Sequence, residues 1–279
     1  MSETVPEAPA TGSTSAASPS ARRNAVCPSA RSALLEALQQ RQDAGQPVHL
    51  WLRDDDAVEP SAALDRLLET TQVHEVPITL ALIPAFSGEA LAALLQPLSR
   101  VDVAVHGWAH LNHAPSSEKK QELGAHRPLA ETLAELQGGL THLQHWHGSQ
   151  CVPMLVPPWN RIAESLVPSL DSIGFKALST FAQMTFESIP VINTHVDIID
   201  WKGSRAGRPS DELLAELTSH VLSGRELTGI LTHHLVHEAQ AWHFLEQLFE
   251  LTADHPAVQW TAISQWMSVK LPDPGLPGQ

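Results

Sequence analysis

Several residue types that mark particular protein classes are scarce in this 279-residue sequence. Two cysteines, Cys27 and Cys151, are too few for a disulfide framework, and alone they cannot form a cysteine-ligated zinc site. Lysine and arginine total 17 against 31 aspartates and glutamates, and no basic cluster is visible. This balance argues against nucleic-acid binding, which depends on neutralising phosphates. Any metal would need histidine and carboxylate ligands, and the sequence supplies 16 histidines.

Long apolar runs are also absent. No segment approaches the roughly 18 uninterrupted apolar residues of a membrane span, so we predict no membrane association. Residues 1–28 are rich in alanine, serine, proline and threonine and lack the apolar stretch of a secretory signal. We therefore predict a disordered N-terminal tail over residues 1–28, a C-terminal tail over residues 271–279, and a cytoplasmic protein. The sequence does not predict the oligomeric state.

Between these tails, short apolar segments alternate with segments of helical spacing. Residues 48–53 and 101–105 have the composition of strands, and each is followed by a predicted helical stretch. One helix is predicted at 162–174, and further helical stretches are predicted within 117–147. Repeated strand–helix units over residues 29–270 predict a single α/β domain, a distorted (β/α) barrel of about seven parallel strands. A doubly wound open sheet is the alternative.

Acidic and histidine side chains collect where the predicted strands end, and in both folds these ends carry the functional residues. They are Asp54, Asp55, Asp56, His106, His110, Asp197 and His233. Three consecutive acids more often form a solvated loop, and a single His-x-x-x-His pair is a weak signal. The acids and the histidines, however, all fall at the same predicted rim, and this coincidence favours a metal site. Two imidazoles and one carboxylate form a facial triad with open coordination positions. A single helical turn would bring His106 and His110 to one side.

His237 and His243 are interpreted as structural. His142, His145 and His147 lie on a predicted helix, and we expect them at the surface.

Five short motifs follow one another within residues 45–265. They are "RDDDA" (53–57), "HGWAH" (106–110), "VPPW" (156–159), "DIIDW" (197–201) and "LTH" (231–233). In order and spacing they resemble the motifs of the polysaccharide deacetylase (NodB-homology) family of carbohydrate esterases. The resemblance implies a metal-dependent amide hydrolase on a distorted (β/α) barrel. Four positions depart from the family pattern: the glycine of the first motif is replaced, Gly107 replaces serine or threonine, Val156 replaces arginine, and His234 replaces a frequent aspartate.

The resemblance implies a metal centre made of Asp56, His106 and His110. Zinc suits these ligands, and cobalt, nickel or manganese would bind the same atoms.

The register of the first motif leaves two assignments open. If Ala57 occupies the family's glycine position, Asp55 is the general base and Asp56 the metal ligand. If Asp56 replaces that glycine, the two roles move to Asp54 and Asp55. We prefer the first assignment because alanine is the smaller departure from glycine.

The resemblance also implies the acid–base residues. Asp55 would take a proton from the attacking water, and His233 would protonate the departing amine. Asp197 would orient His233. The arginine that is missing from the third motif would hold the base by a charged hydrogen bond, and either Arg53 or Arg161 could supply that charge from another position.

The expected substrate is an amino sugar or another small acetylated carbohydrate, which would lose an N-acetyl group. Trp159 and Trp201 could form an apolar wall against a sugar face, although they could equally be core aromatics, and Pro158 and Arg161 complete the predicted substrate-binding set. Two alternatives remain from the sequence. The protein could hydrolyse another C–N bond, such as a cyclic amide, or it could be a barrel that binds metal or carbohydrate with impaired catalysis.

Overall fold

The architecture is an eight-stranded parallel sheet with helices packed around it, described for residues 29–271 in a computed structural model. The strands are β1 (Val48–Ala57), β2 (Ile78–Leu82), β3 (Val101–Val105), β4 (Cys151–Leu155), β5 (Ala177–Leu178), β6 (Thr194–Asp197), β7 (Thr228–Thr232) and β8 (Val258–Trp260). The α-helices are α1 (Ala30–Asp43), α2 (Ala62–Val73), α3 (Glu89–Leu95), α4 (Leu129–His147), α5 (Ser210–Leu222), α6 (Ala239–Thr252) and α7 (Ile263–Lys270). The predicted tails, apart from Leu271, lie outside the described residues.

The strands follow one another around a curved sheet in the order β5-β4-β3-β2-β1-β7-β6, and β8 pairs with the start of β1. The two ends of this path approach each other, because Phe181, just after β5, forms a parallel bridge with Thr194 of β6. The Ala182 N–H donates to the Thr194 carbonyl oxygen at 2.8 Å across the same junction. A doubly wound sheet would instead reverse its order at a switch point. The predicted distorted (β/α) barrel of about seven parallel strands is confirmed.

Strand β1 lies at the centre of this sheet and is longer than predicted. It pairs with β7 on one side, and on the other with β8 at its start and with β2 from Leu52 onward. Pairing with β7 extends the strand to Asp54, and pairing with β2 extends it past the three aspartates to Ala57. The strand therefore carries its acidic end into the rim of the barrel, where the ends of β2 and β7 also lie.

Two predicted helical segments are wrong. Residues 162–174 form two short 3₁₀ turns, Val167–Ser169 and Asp171–Ile173, because Pro168 cannot donate a backbone hydrogen bond in a helix interior. Residues 117–128 form an irregular loop, and α4 begins only after Pro128. No helix within residues 29–271 is long and apolar enough to cross a membrane.

The histidines of α4 are not all at the surface. His145 is exposed as predicted, but His147 is only 6% exposed, and both of its ring nitrogens are buried without a hydrogen-bond partner within residues 29–271. The predicted surface position of His147 is therefore wrong. Burial lowers the pKa of His147 to about 4. Burial and the charge of Arg225 likewise lower the pKa of the buried His195 to about 3.

We expect the free energy of unfolding to fall as the pH drops from 6.5, the ordinary histidine pKa, towards about 4. In this window His147 and His195 bind a proton in the unfolded chain but not in the folded chain. Each residue therefore lowers the free energy of unfolding by about 1.4 kcal/mol for each unit by which the pH falls. The stability that depends on these two neutral histidines is fully present above their pKa in the unfolded chain, and it is lost as the pH falls towards their pKa in the folded chain. Urea unfolding at several pH values gives the slope of the free energy of unfolding against pH. In His147→Leu this slope should be smaller by the equivalent of one proton, and in the control His145→Leu it should be unchanged. An unreduced slope in His147→Leu would contradict this account.

Candidate metal centre and active site

The position of Asp56 depends on an irregularity at the end of β1. The pairing of β1 with β2 shifts register between Asp55 and Ala57, and Asp56 has a φ angle of 75°. A non-glycine residue in this region costs about 1–3 kcal/mol of backbone strain. Such an irregularity re-aims a side chain next to a functional site. Here it brings the Asp56 carboxylate to the imidazoles of His106 and His110.

His106 and His110 meet Asp56 from the loop that follows β3. Asp56 Oδ1 lies 3.2 Å from His106 Nε2 and 3.4 Å from His110 Nε2. One ligand atom from each of the three residues lies within 4.8 Å of the others. The His-x-x-x-His spacing predicted a helical turn, and this prediction is wrong. Gly107 and His110 have φ angles of 63° and 55°, which an α-helix does not contain.

The chemistry of this triad fits a divalent metal. Asp56 Oδ1 is buried without a hydrogen-bond partner among the described residues, and an orphaned carboxylate oxygen is costly unless a cation neutralises it. The His106 Nδ1–H donates to the Val156 carbonyl oxygen at 2.9 Å. This bond fixes the tautomer that leaves Nε2 free as a ligand. Three protein ligands leave coordination positions open for substrate and water.

The electrostatics of the triad favour a cation. Burial alone would raise the pKa of the Asp56 carboxyl, but the nearby imidazoles of His106, His233 and His110 hold it well below its usual range. Burial and the charge of His106 lower the pKa of His110. Asp56 is therefore ionised and His110 neutral near pH 7, and these are the forms that bind metal.

Glu122 holds the loop that carries the two histidines. Its side chain is buried, and its carboxylate accepts the Trp108 N–H at 3.2 Å and the Ala109 N–H at 2.8 Å. A Cβ atom at Gly107 would lie 2.0 Å from Glu122 Oε2 and 2.7 Å from the Pro158 ring. Gly107 therefore makes room for Glu122, which supports the loop where the related motif has a hydroxyl side chain.

We expect Gly107→Ala to weaken metal binding by about 10–100-fold, the usual effect of disturbing groups that orient ligands. The new methyl group would displace Glu122 or Pro158, and alanine is strained at a φ of 63°. Metal titration against a competing chelator measures this change. Gly138→Ala is the matched control, because a Cβ there meets open space on α4. Equal metal affinities in the two variants would contradict the role given to Glu122.

Asp55 is held by Arg53, two residues earlier on the same strand. Arg53 is fully buried and donates from Nε to Asp55 Oδ1 at 2.9 Å and from Nη2 to Oδ2 at 3.0 Å. Its other N–H groups donate to Ser179 Oγ at 2.6 Å, to the Thr180 carbonyl oxygen at 3.3 Å and to Asn160 Oδ1 at 3.0 Å. Such a two-point pair fixes both the charge and the orientation of a carboxylate.

The other candidate arginine lies elsewhere. Arg161 donates to the Lys120 carbonyl oxygen at 2.8 Å in an exposed part of the structure. Of the two candidates, Arg53 is therefore the one that the structure brings to Asp55.

Asp54 faces away from Asp55 and pairs with His234. It is fully buried, and its two oxygens accept the backbone N–H of His234 at 2.8 Å and its Nδ1–H at 2.5 Å. The charge of Asp54 raises the pKa of His234 against the effect of burial. Both oxygens of Asp54 bond to His234, and the triad contains Asp56 and not Asp54. This arrangement favours the assignment of base and ligand to Asp55 and Asp56.

His233 lies beside Asp55, with its Nε2 4.0 Å from Asp55 Oδ2. Its Nδ1 is buried without a hydrogen-bond partner among the described residues. Asp197 does not contact that nitrogen, because its carboxylate accepts the Ile199 N–H and the Trp201 Nε1–H, both at 3.0 Å. The Trp201 ring meets the His233 ring edge-on at 4.7 Å. Asp197 therefore reaches His233 through Trp201, and burial raises the pKa of Asp197.

Of the four predicted substrate-binding residues, the two tryptophans lie at the candidate site and Pro158 is buried beneath it. The Trp159 ring lies 4.3 Å from the His110 ring, and Trp201 is 41% exposed beside His233, so both aromatics border the triad. Pro158 is buried under Gly107 and supports the loop. A contact of Pro158 or Arg161 with a substrate stays a prediction.

Two surface depressions lie away from this centre. They measure about 630 and 490 Å³, and they share Arg225, Glu226 and Trp266 in their linings. None of the triad residues lines either of them. The candidate site is therefore identified by its donor atoms and not by the size of a cavity.

Comparison with solved structures identifies the fold. A protein from Mycobacterium smegmatis assigned as a polysaccharide deacetylase aligns with a TM-score of 0.62 at 14% identity, over 81% of this chain and 90% of that one. This chain has the polysaccharide deacetylase fold. A family 4 acetyl xylan esterase from Clostridium thermocellum, in complex with a cobalt ion, gives 0.54 at 14% identity over 79% and 91%. The peptidoglycan deacetylase PdaC from Bacillus subtilis gives 0.54 at 18% identity over 81% and 92%.

The resemblance read from the sequence is thus confirmed at the level of the fold. No family model and no curated protein matches the sequence itself.

Within the polysaccharide deacetylase fold, the departures from the motif pattern have local substitutes. Arg53 pairs with Asp55, although the third motif carries Val156 in place of arginine. Glu122 supports the loop at which Gly107 replaces a hydroxyl residue. His234, in place of aspartate, finds its carboxylate partner in Asp54.

Sequence reasoning missed several residues that build this site. Glu122 lies in an irregular loop with no periodic pattern, and nothing in that loop singles it out. Asn160 and Ser179 are ordinary polar residues until the fold brings them to Arg53. A usable signal was the small residue at position 107, which indicates that another group fills the space of the missing hydroxyl.

Proposed function

We propose that this protein is a metal-dependent hydrolase that removes the acetyl group from the nitrogen of an amino sugar or another small acetylated carbohydrate. One observation carries the proposal, namely that an open Asp56–His106–His110 triad lies beside a buried carboxylate, Asp55, whose orientation is fixed by an arginine. The solved proteins that share the fold include deacetylases and an acetyl xylan esterase. Their chemistry agrees with what the side chains of this site can do.

The proposed metal ligands are Asp56, His106 and His110. A divalent metal held there would supply Lewis acidity to the scissile carbonyl and make a water molecule more acidic near neutral pH. Zinc fits one carboxylate and two imidazoles, and the same atoms would also bind cobalt, nickel or manganese. The Val156 carbonyl oxygen and Glu122 keep the two imidazoles in the orientation that such binding requires.

The protein's own acid–base groups then carry the protons. Asp55, oriented by Arg53, takes a proton from the attacking water. His233 faces Asp55 and gives a proton to the departing nitrogen, since an amine leaves poorly as an anion. Asp197 positions Trp201 against His233. Trp159 and Trp201 border the site and would pack against the apolar face of a sugar ring.

The binding-only alternative rested on the missing arginine and on the irregular first motif. Arg53 supplies the charge that Val156 lacks, and the bulge at Asp56 accounts for the extra aspartate. Both features now support turnover, and we therefore propose an active enzyme.

Metal analysis of the purified protein tests the proposal. We expect about one divalent metal ion per chain in the wild type and in His145→Ala, whose imidazole is exposed on α4, and none in His106→Ala. Acetate release from N-acetylated amino sugars and acetylated xylan oligosaccharides, and ring opening of cyclic amides, would then be measured after loading with zinc, cobalt, nickel or manganese. Metal binding that survives His106→Ala, or its absence from the wild type after loading, would rule out this centre.

A further inference from the structure

Asp54 and His234 form a buried pair that the proposed reaction does not use directly. Successive side chains of a strand point to opposite faces, so Asp54 points away from the side occupied by Arg53 and Asp55. Asp54 has no exposed surface, and His234 is 1% exposed. Neither residue can reach a substrate from this position.

This pair joins β1 to the turn that follows β7. One of its two hydrogen bonds comes from the backbone N–H of His234, which belongs to the peptide group directly after His233. The other comes from the His234 ring at 2.5 Å. Together they fix both the peptide plane and the side chain next to His233.

His233 needs such an external support. Its Nδ1 has no hydrogen-bond partner among the described residues, and its ring touches the edge of the Trp201 ring. No polar contact at Nδ1 therefore sets the orientation of the imidazole. The backbone at positions 233 and 234 must hold it opposite Asp55 instead.

We propose that Asp54 and His234 are positioning residues that keep His233 in place to protonate a departing amine. This inference rests on the proposed function. In the step concerned, the C–N bond breaks and its electron pair passes to nitrogen, which takes the proton from His233. The water oxygen stays on the acetyl carbon, Asp55 has taken a proton from that water, and acetate and the free amine leave. A substrate whose leaving group departs as a stable anion does not need the proton from His233.

The test compares two substrates of different leaving group in the metal-loaded, full-length protein. An N-acetylated amino sugar needs protonation of its nitrogen, whereas 4-nitrophenyl acetate releases a stable phenolate. We expect Asp54→Asn to lower kcat for the amide by about 10–100-fold, the cost of a small misplacement of a catalytic group. Its kcat for the aryl ester should stay within threefold of wild type, with KM for both substrates and metal content unchanged. His233→Ala should show the same dependence on the leaving group, with a larger loss for the amide.

A second variant covers the event that the single change prevents folding. The double change Asp54→Leu with His234→Leu removes both charged partners, and apolar replacement of a buried pair usually preserves stability. It should show the same selective loss on the amide. Hydrogen exchange should be faster in the peptide that contains His233 than in wild type, and unchanged in β2, because the His234 N–H has lost its acceptor.

Three results would overturn the inference. They are an equal loss of kcat on both substrates, a loss confined to KM or metal content, and unchanged exchange around His233. A wild-type protein that binds metal but hydrolyses neither substrate would instead overturn the proposed function, and the inference with it. The two failures are therefore distinguishable.

Discussion

Replacing Asp55 by asparagine is expected to lower kcat for deacetylation by about 10²–10⁴-fold, the range in which general bases contribute. Asparagine keeps the size of the side chain and can still accept a hydrogen bond from Arg53, but it cannot take a proton from water. Metal content should stay at the wild-type level, because Asp55 is outside the triad of Asp56, His106 and His110. Steady-state kinetics and elemental analysis on the same preparation measure both quantities.

Asp54→Asn is the matched control for the register of the three aspartates. Both Asp54 oxygens are occupied by His234, so this variant should keep its metal and lose activity only where the leaving group needs a proton. Asp55→Asn should lose activity on amides and aryl esters alike, because both need the base. Loss of metal from Asp55→Asn would instead support the other register, in which Asp55 is the ligand.

Arg53→Met is expected to give the second large effect, on stability as well as on turnover. Removing one partner of a buried pair leaves an uncompensated charge and usually costs about 3–5 kcal/mol. The Asp55 carboxylate would lose the two hydrogen bonds that orient it, and a misplaced catalytic group can cost about 10²-fold in kcat. Urea unfolding and kinetics with the loaded protein would measure the two losses separately.

Two further arginine variants serve as controls for Arg53→Met. Arg53→Lys keeps a charge but not the planar fork that meets both carboxylate oxygens, so its kcat should fall between those of wild type and Arg53→Met. Arg161→Met removes an arginine that lies at the surface and should change the free energy of unfolding by no more than about 0.5 kcal/mol. A larger loss of stability in Arg161→Met than in Arg53→Met would show that the wrong arginine has been chosen.

Much of the fold was predictable because strand and helix periods alternate clearly over residues 29–270. Parallel strands place functional residues at their carboxyl ends, and this rule predicts from the sequence alone that Asp56, His106 and His110 lie at one rim. The failures came where a local feature overrides the period. Pro168 interrupts the predicted helix at 162–174, and the left-handed φ of Gly107 and His110 replaces the expected helical turn.

The partners of the site residues could not be predicted in the same way. Glu122, Asn160 and Ser179 are separated in sequence from the residues they support, and their identity follows from the packing of loops. Arg53 could be considered as a partner of Asp55 because alternate strand residues share a face, but an equally plausible Arg161 remained. The burial of His147 depends likewise on how α4 packs, which its sequence period does not determine.

The charged end of β1 has a consequence for how the chain reaches its native pairing. Arg53 and Asp55 share one face of the strand and Asp54 the other, so a slip of one residue would exchange the two faces. Arg53 would then be turned from Ser179 and Asn160, and Asp54 from His234, leaving buried charges without their partners at a cost of several kcal/mol each. The residues proposed to orient and perform the reaction therefore also penalise the misaligned sheet, so that the alignment of the central strand and the geometry of the candidate site depend on the same side chains.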